Sequence, residues 1–313
     1  MNTNSDPIGD LILSSQVAQA LKFVGDRWSF LILRDVFLGN HRFEDLRRRT
    51  HAARGTLTSR LKALVEDGIL HTRPYQTSPT RHEYRFTAKG ADLFPLALTA
   101  WRWEHDWGTG EEHYVPSKLV HKGCGKVMQP EVRCEQCQEL VRIWDVQYAP
   151  GAGAHRAEPV PPRFQRRSKT RAKYPEGVDT SFFHIADIVG DRWTGLVVAA
   201  LFFGLHRYDE IAEAIGIATN ILADRLHLLT DAGIVERRAY QHKPTRYAYY
   251  LTQKGWDLYG HTLMMHQWAD KWIVEPGRPP LVLTHKPCGK LLKGIVVCDQ
   301  CGEQLTPSAV SMQ

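Results

Sequence analysis

The sequence predicts a mainly α-helical protein with small β wings, built as two winged helix-turn-helix domains that are each followed by a small zinc-ribbon-like segment. The first observation behind this fold class is an internal repeat, because Val24–Trp28 (VGDRW) returns as Val189–Trp193 at a constant shift of 165 residues. The second is that each copy combines helical patterns with two adjacent strand patterns, and the third is a repeated set of histidine and cysteine pairs. Because the repeat is far longer than a solenoid unit, each copy should be a domain with its own core.

The segment Arg54–Asp67 has the residue spacing of an amphipathic helix. Leu57, Leu61 and Leu64 fall at i, i+4 and i+7, so one face of this helix is apolar and the opposite face is polar. Asp26 stands before a dense apolar run and predicts a helix N-cap. The other predicted elements are helices at 17–24, Trp28–Leu38, Phe43–Arg49 and Lys89–Trp107, strands at Ile69–Tyr75 and His82–Thr87, and in the second copy strands at Ile234–Tyr240 and Tyr247–Thr252.

This order of elements is typical of a winged helix-turn-helix domain. In that fold the second helix of the turn enters the major groove, and the hairpin lies against the flanking backbone. The alternative is a small α+β domain that binds protein or binds no partner. The predicted segments are a first winged domain (1–110), a first zinc-ribbon-like segment (111–148), a basic linker rich in Pro, Gly and Arg (149–177), a second winged domain (178–275) and a second zinc-ribbon-like segment (276–313).

The composition limits the class of protein. A hydrophobic fraction of 43% is ordinary for a globular protein, and no apolar run reaches the roughly 18 residues of a membrane span. The N-terminal MNTNSDPIGD lacks a secretion signal, so we expect a cytoplasmic, nucleoid-associated protein whose six cysteines stay reduced. A formal net charge of +6 favours a polyanionic partner. Since no paired acid and base, glycine-rich phosphate loop or activated nucleophile is recognisable, we do not expect an enzyme.

Several separated motifs recur in order in both copies. They are VGDRWSFLILRDVFLGNHRFEDL, RLKALVEDGI and TSPTRHEYRFTAKG in the first copy, and VGDRWTGLVVAALFFGLHRYDEI, RLHLLTDAGI and HKPTRYAYYLTQKG in the second. With these motifs each copy resembles the HxlR-type winged-helix transcription regulators of bacteria. The resemblance implies a sequence-specific DNA-binding regulator, more often a repressor, whose relatives act as homodimers on two-fold symmetric operators. This chain therefore resembles a family dimer fused into one polypeptide.

Two departures from the family pattern affect what the resemblance implies. Many members carry a reactive cysteine just before the first helix, whereas Ser15 and Thr180 stand at the equivalent positions here. A hydroxyl forms no thiolate at neutral pH, so sensing by that route is not expected. The tip of the recognition helix also differs from the family's Ser-Pro-Arg, being Ala53-Arg54-Gly55 in one copy and Ala218-Thr219-Asn220 in the other. The two heads should therefore prefer different half-sites.

The residues expected to meet DNA fall into two groups. Base edges are assigned to Arg54, Thr56 and Thr58 in the first head and to Thr219, Asn220 and Ala223 in the second, with helix capping as the alternative role of Asn220. Phosphate contacts are assigned to Arg27, Arg81, Arg192, His242, Lys243 and Arg246. Arg60 and Arg225 have two open roles, a phosphate contact or an internal ion pair.

A second set of residues recurs after each winged domain. His121-x-x-Cys124 is followed by Cys134-x-x-Cys137, and His285-x-x-Cys288 is followed by Cys298-x-x-Cys301. Three thiolates with one imidazole are a ligand set for tetrahedral Zn²⁺, so we expect two closed structural zinc sites, one in each ribbon segment. The alternative is a set of buried reduced cysteines with an incidental histidine.

The remaining features concern partners other than DNA. The linker cations could be solvated or could follow the phosphate backbone: Arg156, Arg163, Arg166, Arg167, Lys169, Arg171 and Lys173. The tryptophans of the closing helices predict a seam between copies or chains, or a pocket for a small aromatic effector: Trp101, Trp103, Trp107, Trp268 and Trp272. The sequence leaves open whether two such chains associate into a homodimer. The alternative function is a zinc-stapled protein-interaction adaptor whose winged domains bind DNA weakly or without sequence preference.

Overall fold

The computed structural model describes residues 7–78, 80–108, 118–161, 163 and 182–312. The linker cations from Arg166 to Lys173 and Thr180 lie outside the described residues, so what was expected of them stays a prediction. The first part of the chain forms α1 (Pro7–Ser14), α2 (Gln16–Val24), α3 (Arg27–Phe37), α4 (Phe43–Thr50), α5 (Arg54–Glu66), β1 (Leu70–Thr77), β2 (Thr80–Phe86), α6 (Ala88–Ala91) and α7 (Phe94–Trp107). The first tail forms β3 (Leu119–His121), β4 (Lys126–Met128), β5 (Pro130–Cys134), a 3₁₀ turn (Ile143–Asp145) and β6 (Val146–Pro150).

The second copy repeats the winged pattern. It forms α8 (Phe183–Val189), α9 (Arg192–Phe202), α10 (Tyr208–Ile215), α11 (Thr219–Asp231), β7 (Val235–His242), β8 (Thr245–Leu251), α12 (Gln253–Trp256) and α13 (Tyr259–Trp272). The second tail forms β9 (Leu281–His285), β10 (Lys290–Leu291), β11 (Gly294–Cys298) and β12 (Val310–Met312). Each wing is an antiparallel pair, β1 with β2 and β7 with β8.

The prediction of one closing helix over Lys89–Trp107 was wrong, because α6 ends before α7 begins. Thr87 caps the short α6 by accepting a hydrogen bond from the Gly90 amide. Pro95 then lies in the first turn of α7, where its missing amide costs nothing. The other predicted helices and strands of the winged domains are present with ends shifted by a few residues.

The chain divides into two compact units, each of which takes residues from both copies. The unit around the first head, called the head-1 unit, contains the described residues of 23–131, 172–190 and 296–313. The unit around the second head, called the head-2 unit, contains those of 1–22, 132–171 and 191–295. The units therefore do not follow the sequential segments.

Within the head-1 unit, a helix from the second copy packs on the first head. Helix α8 contacts α3 and α7. The buried carboxylate of Glu104 on α7 accepts a hydrogen bond from the Ile185 amide at 2.8 Å, which satisfies a donor in the first turn of α8. Trp103 stacks on His184 with 5.2 Å between ring centroids. This tryptophan thus buries α7 against a helix that the sequence assigns to the other copy.

Within the head-2 unit, the N-terminal helices pack on the second head. Helix α1 contacts α9 and α10. At the start of α2, the Gln16 amide group donates to Asp270 Oδ1 and to the Leu281 carbonyl, each at 2.8 Å. The exchange of first helices is therefore reciprocal: each head is completed by a helix from the other copy's segment. Among the described residues, no helix combines the length and apolar character needed to span a bilayer.

Candidate DNA interface and metal clusters

Helix α5 presents one polar face and buries the other. Leu57, Leu61 and Leu64 are fully buried, as their spacing predicted. On the opposite side Arg54 and Thr58 are exposed, as are Ser59 and Lys62, whereas Thr56 is half-buried. The Arg54 guanidinium lies over the Phe43 ring at 5.3 Å and 3.5 Å from Glu44 Oε1, contacts that orient it without covering it.

Helix α11 has the same architecture with different side chains on its open face. Leu222, Leu226 and Leu229 are buried, while Thr219, Asn220 and Ala223 are exposed. The N-cap is Ala218, and no side chain caps the helix, so the capping role considered for Asn220 is wrong. No lysine or arginine is exposed along this face. His227 instead lies 3.3 Å from Asp231, and Asp224 stands where the first head has Ser59.

The two wings place cations near their turns. Arg81 pairs in register with Gln76, and Arg246 pairs with Gln241, each beside a bulge in its hairpin. Arg81, Lys243, Arg246 and His242 are all exposed, as phosphate contacts require. Pro79, at the tip of the first wing, lies outside the described residues.

The histidines and cysteines gather into two clusters whose membership differs from the predicted one. One cluster, in the head-1 unit, joins His121 and Cys124 to Cys298 and Cys301. The other, in the head-2 unit, joins Cys134 and Cys137 to His285 and Cys288. The prediction that each ribbon segment holds its own four ligands was wrong. The reason lies in strand pairing, because β3 pairs with β12 and β6 pairs with β9, so each cluster draws strands from both tails.

The cluster geometry suits a tetrahedral metal ion. The Sγ atoms of Cys124 and Cys298 are 3.9 Å apart, and those of Cys134 and Cys288 are 4.0 Å apart. Zinc bonds of about 2.3 Å to sulfur would set two thiolates about 3.8 Å apart in a tetrahedron. In each cluster the histidine Nδ1 lies 3.3 Å from a sulfur, that of Cys301 for His121 and that of Cys137 for His285.

The turns that carry these ligands direct backbone amides at sulfur. Gly125, Gly289 and Gly302 have φ of +69°, +67° and +74°, values that glycine adopts without a steric penalty. A hydrogen bond from the Lys126 amide is the largest cause that lowers the pKa of Cys124 to about 7, and the Lys290 amide lowers the pKa of Cys288 in the same way. Both effects favour the thiolate, which is the metal-binding form.

Comparison with known families settles the relationship of this chain. The model of the HxlR-like helix-turn-helix family matches residues 23–112 and again 188–276, more than half of the sequence. The chain belongs to the HxlR-like helix-turn-helix family. The predicted tandem of two family domains is therefore confirmed.

The relatives of this HxlR-like chain align with less than half of it, a length that corresponds to a single copy of the repeat. An uncharacterised HTH-type transcriptional regulator of Mycobacterium bovis is 41% identical over 137 residues, which are 44% of this chain and 86% of the relative. The HTH-type transcriptional regulator YodB of Bacillus subtilis is 40% identical over 91 residues, 29% of this chain and 80% of the relative. The solved reduced form of YodB is 37% identical, covers 31% of this chain and 94% of its own, and has a TM-score of 0.27.

Two predicted phosphate contacts do not fit the HxlR-like domains as folded. Arg27 Nε donates to Asp187 Oδ1 at 2.7 Å, and its guanidinium lies 4.8 Å from the Phe183 ring centroid. Arg192 is only 4% exposed, and burial lowers its pKa. Both side chains are committed to the interior of their units. The expectation that they contact phosphate is therefore corrected.

Of the two roles that the sequence left open for Arg60 and Arg225, both arginines form the internal ion pair. Arg60 Nε lies 3.0 Å from Asp26 Oδ2, and Asp26 also accepts from the Ser29 amide at the start of α3. Arg225 Nε lies 2.9 Å from Asp191, which caps α9 in the same way. The phosphate role is withdrawn for both. The constant spacing of this Asp–Arg pair in the two copies was the sequence signal for it.

Sequence reasoning missed a second repeated pair that joins the turn to the wing. The Arg42 guanidinium lies 4.5 Å from the Tyr75 ring centroid, and Arg207 lies 5.1 Å from that of Tyr240. Both arginines precede the first helix of the turn, and both tyrosines are partly exposed on the first strand of the wing. A hydrogen bond with Tyr240, followed by the charge of Asp209, raises the pKa of Arg207. These cations therefore lie between the turn and the wing of each head.

Proposed function

We propose that this chain represses transcription by binding double-stranded DNA with two winged heads on one polypeptide, each head engaging one half-site. Membership of the HxlR-like family confirms the predicted DNA-binding transcriptional regulator. The fused pair, the half-sites and the repression are our proposal. Two heads on one chain supply what two subunits supply in a family dimer, so a further homodimer is not required. We place this activity in the cytoplasm, at the nucleoid.

One observation carries the proposal: each head exposes a polar helix face on a buried leucine stripe, with wing cations beside it. Arg54 can bridge guanine O6 and N7, and Asn220 suits adenine, each for roughly 1–3 kcal/mol of discrimination. Arg81 and Arg246 would hold phosphates on either side. Because the two open faces differ, the operator should consist of two unlike half-sites.

Selection from random duplexes, followed by footprinting, tests this function. We expect one motif made of two unlike halves and a footprint long enough for both heads. Arg81→Ala and Arg246→Ala should weaken all sequences alike, and should reduce the slope of log K against log salt by about 0.9 for each lost phosphate contact. Arg278→Ala removes an exposed cation that follows α13 and serves as the control. An absence of any enriched motif would favour the protein-interaction adaptor, an alternative that the cation-poor face of α11 supports.

We further propose that each Cys₃His cluster binds one Zn²⁺ as a structural ion. The thiolates and imidazole fit this soft, tetrahedral cation, and the protein supplies all four ligands, leaving no open position for a water nucleophile. When bound, zinc would hold two short turns at a fixed spacing. The closure is long-range, since Cys124 and Cys298 are 174 residues apart and the Cys134–Cys288 pair is 154 apart. A bond that closes so long a loop removes much entropy from the unfolded chain.

Two double variants test both the metal and its exchanged ligands. After dialysis against a chelator, His121→Ala with Cys298→Ser should retain one zinc per chain, because both changes fall in one cluster. His121→Ala with Cys134→Ser should retain none, because each cluster loses a ligand. Sequential ligand sets would give the reverse pattern in an elemental measurement of zinc. A zinc-free wild type with freely titrating thiols would overturn the metal assignment itself.

A further inference from the structure

One repeated arginine has different surroundings in the two heads. In the head-1 unit Arg27, at the start of α3, donates to the Asp187 carboxylate at 2.7 Å. The arginine at the same position of the repeat is Arg192, at the start of α9 in the head-2 unit. The residue that matches Asp187 at the shift of 165 is Lys22, so a cation takes the place of the carboxylate. The ion pair of the first head therefore has no counterpart formed by these residues in the second.

Arg192 is buried and unpaired. It is only 4% exposed, and its Nε has no hydrogen-bonding partner within the described structure. Burial lowers the pKa of Arg192, and no carboxylate among the described residues offsets that effect. A buried charge is costly unless an opposite charge and hydrogen bonds compensate for its lost hydration. The guanidinium thus lacks the negative partner that its counterpart has.

Helix α2 adds a second cation beside this guanidinium. Leu21 packs against the first turn of α9, since a Cβ added at Gly195 would lie 2.9 Å from Leu21 Cδ1. The next residue, Lys22, is exposed, and its Nζ donates to the Gln19 side-chain oxygen. Burial lowers the pKa of Lys22, and the charge of Arg192 lowers it further. An anion bound between the two cations would relieve this repulsion.

The first head indicates which kind of anion suits the position. There the partner of the arginine is a carboxylate, and a guanidinium matches the planar shape of that group. The Phe183 ring also lies 4.8 Å from the Arg27 guanidinium, whereas the matching residue of the first copy is Ala18. The second arginine therefore lacks both the carboxylate and the ring that contact the first.

We propose that Arg192 and Lys22 bind a small free carboxylate, of the size of formate or acetate, in the head-2 unit. One of its oxygens would accept from Arg192 Nε, as Asp187 accepts from Arg27, and the Lys22 ammonium would hold the other. The exposed Lys22 gives such an anion a path from solvent. A phosphate of a DNA duplex is excluded, because it cannot reach a residue that is 4% exposed.

The proposed site adjoins the ion pair that joins α9 to the recognition helix of the second head. Asp191 precedes Arg192 and accepts from Arg225 on α11 at 2.9 Å. Helix α9 also packs against α11. If the proposed DNA-binding function is right, the bound carboxylate is an effector of the second head, because it acts on the residue next to this pair.

Acetate is a suitable probe for the full-length, DNA-free protein, with chloride at equal ionic strength as the reference. We expect acetate to raise the melting temperature and to bind saturably in calorimetry. Lys22→Asp places the first copy's carboxylate on the chain itself. It should therefore raise the melting temperature in chloride and weaken acetate binding at least about tenfold. Lys118→Asp makes the same charge change at an exposed position and is the control, which should respond to acetate as the wild type does.

The mirror exchange tests the same site by gain of binding. Asp187→Lys leaves Arg27 without its carboxylate, so it should give the chain a second acetate site. Circular dichroism checks that the variants fold, and Lys22→Asp, at an exposed residue, keeps the test valid if Asp187→Lys does not.

Each outcome bears on the site directly. No acetate binding by the wild type, or equal binding by the wild type and Lys22→Asp, would overturn the proposed site. An equal effect of chloride and acetate would overturn the carboxylate as its ligand. Because binding is measured without DNA, a failure of the DNA-binding proposal would leave this result intact. Bound acetate that leaves DNA affinity unchanged would overturn the effector role alone.

Discussion

Asp26 has two structural tasks that explain why its partner Arg60 is not available to DNA. Its carboxylate caps α3 through the Ser29 amide and also holds the Arg60 guanidinium, with both side chains about 15% exposed or less. The same arrangement joins Asp191, Thr194 and Arg225 in the second head. A carboxylate left with an unmatched charge in such a place costs far more than an exposed one.

We therefore predict that Arg225→Ala lowers the free energy of unfolding by about 3–5 kcal/mol, because it leaves the nearly buried Asp191 without its ion-pair partner. Arg60→Ala should act in the same direction. Arg47→Ala, which breaks an exposed pair with Glu44, is the control and should cost less than about 1 kcal/mol. Urea denaturation followed by circular dichroism measures all three. Equal, small losses for Arg225→Ala and Arg47→Ala would contradict the internal role.

His266 predicts a pH dependence of stability. Its pKa is about 4 in the folded protein, against an ordinary value near 6.5, because burial disfavours the charged ring. Between pH 4 and pH 6.5 the His266 ring is protonated in the unfolded chain but not in the folded chain. Stability is therefore complete above pH 6.5 and falls as the pH drops toward 4, by about 3 kcal/mol in all.

The variant His266→Gln isolates this contribution. Asp270 lies 3.7 Å from the imidazole, and burial raises its own pKa, but that effect is present in both proteins. We expect the difference in unfolding free energy between wild type and variant to shrink as the pH falls from 6.5 to 4. A difference that does not vary over this range would show that the ring ionises freely.

At the scale of single residues, the sequence predicted which side chains are polar on α5 and α11, since helical spacing separates them from the leucines. It could not distinguish a surface arginine from a buried one. Arg27 and Arg81 both lie within motifs that recur in the second copy, yet only Arg81 is exposed. The difference comes from Asp187, which contacts Arg27 although it lies 160 residues away.

At the scale of elements, the two recognition helices are matched scaffolds with unlike faces. Arg54, Gly55 and Thr58 correspond to Thr219, Asn220 and Ala223. We predict that Thr219→Arg, Asn220→Gly and Ala223→Thr together convert the second half-site toward the first, because base discrimination follows the exposed face. Selection from random duplexes should then return a more symmetric motif.

The wing offers a control for this exchange. Lys243→Ser installs the residue that the first copy carries at Ser78, and it should lower affinity for all sequences without changing the preferred motif. An unchanged motif in the triple variant would show that α11 does not read bases. The wings and helices themselves were predictable from periodicity, and Pro95 is a sequence signal from which the break before α7 could also be predicted.

At the scale of the whole chain, the ligand types were predictable but their partners were not. The spacing His-x-x-Cys and Cys-x-x-Cys identifies two half-sites in each tail, and nothing in that spacing says which halves meet. The pairing is decided by strands, with His121 opposite Val310 and His285 opposite Val146. The exchange of helices follows the same logic, since α8 lies in the head-1 unit and α1 in the head-2 unit.

This exchange predicts the behaviour of a cut chain. A protease site inserted between residues 164 and 181 would yield two fragments, and each compact unit would contain parts of both. We expect the cut protein to elute as one species in native buffer. Neither fragment alone contains all the helices of one compact unit or all four ligands of one metal cluster. Its urea midpoint should rise with protein concentration, since folding now requires association, while that of the intact chain should not. Chelation should lower the midpoint in both. Fragments that separate in native buffer and each retain cooperative unfolding would show that the copies fold sequentially, with their own helices and their own ligands.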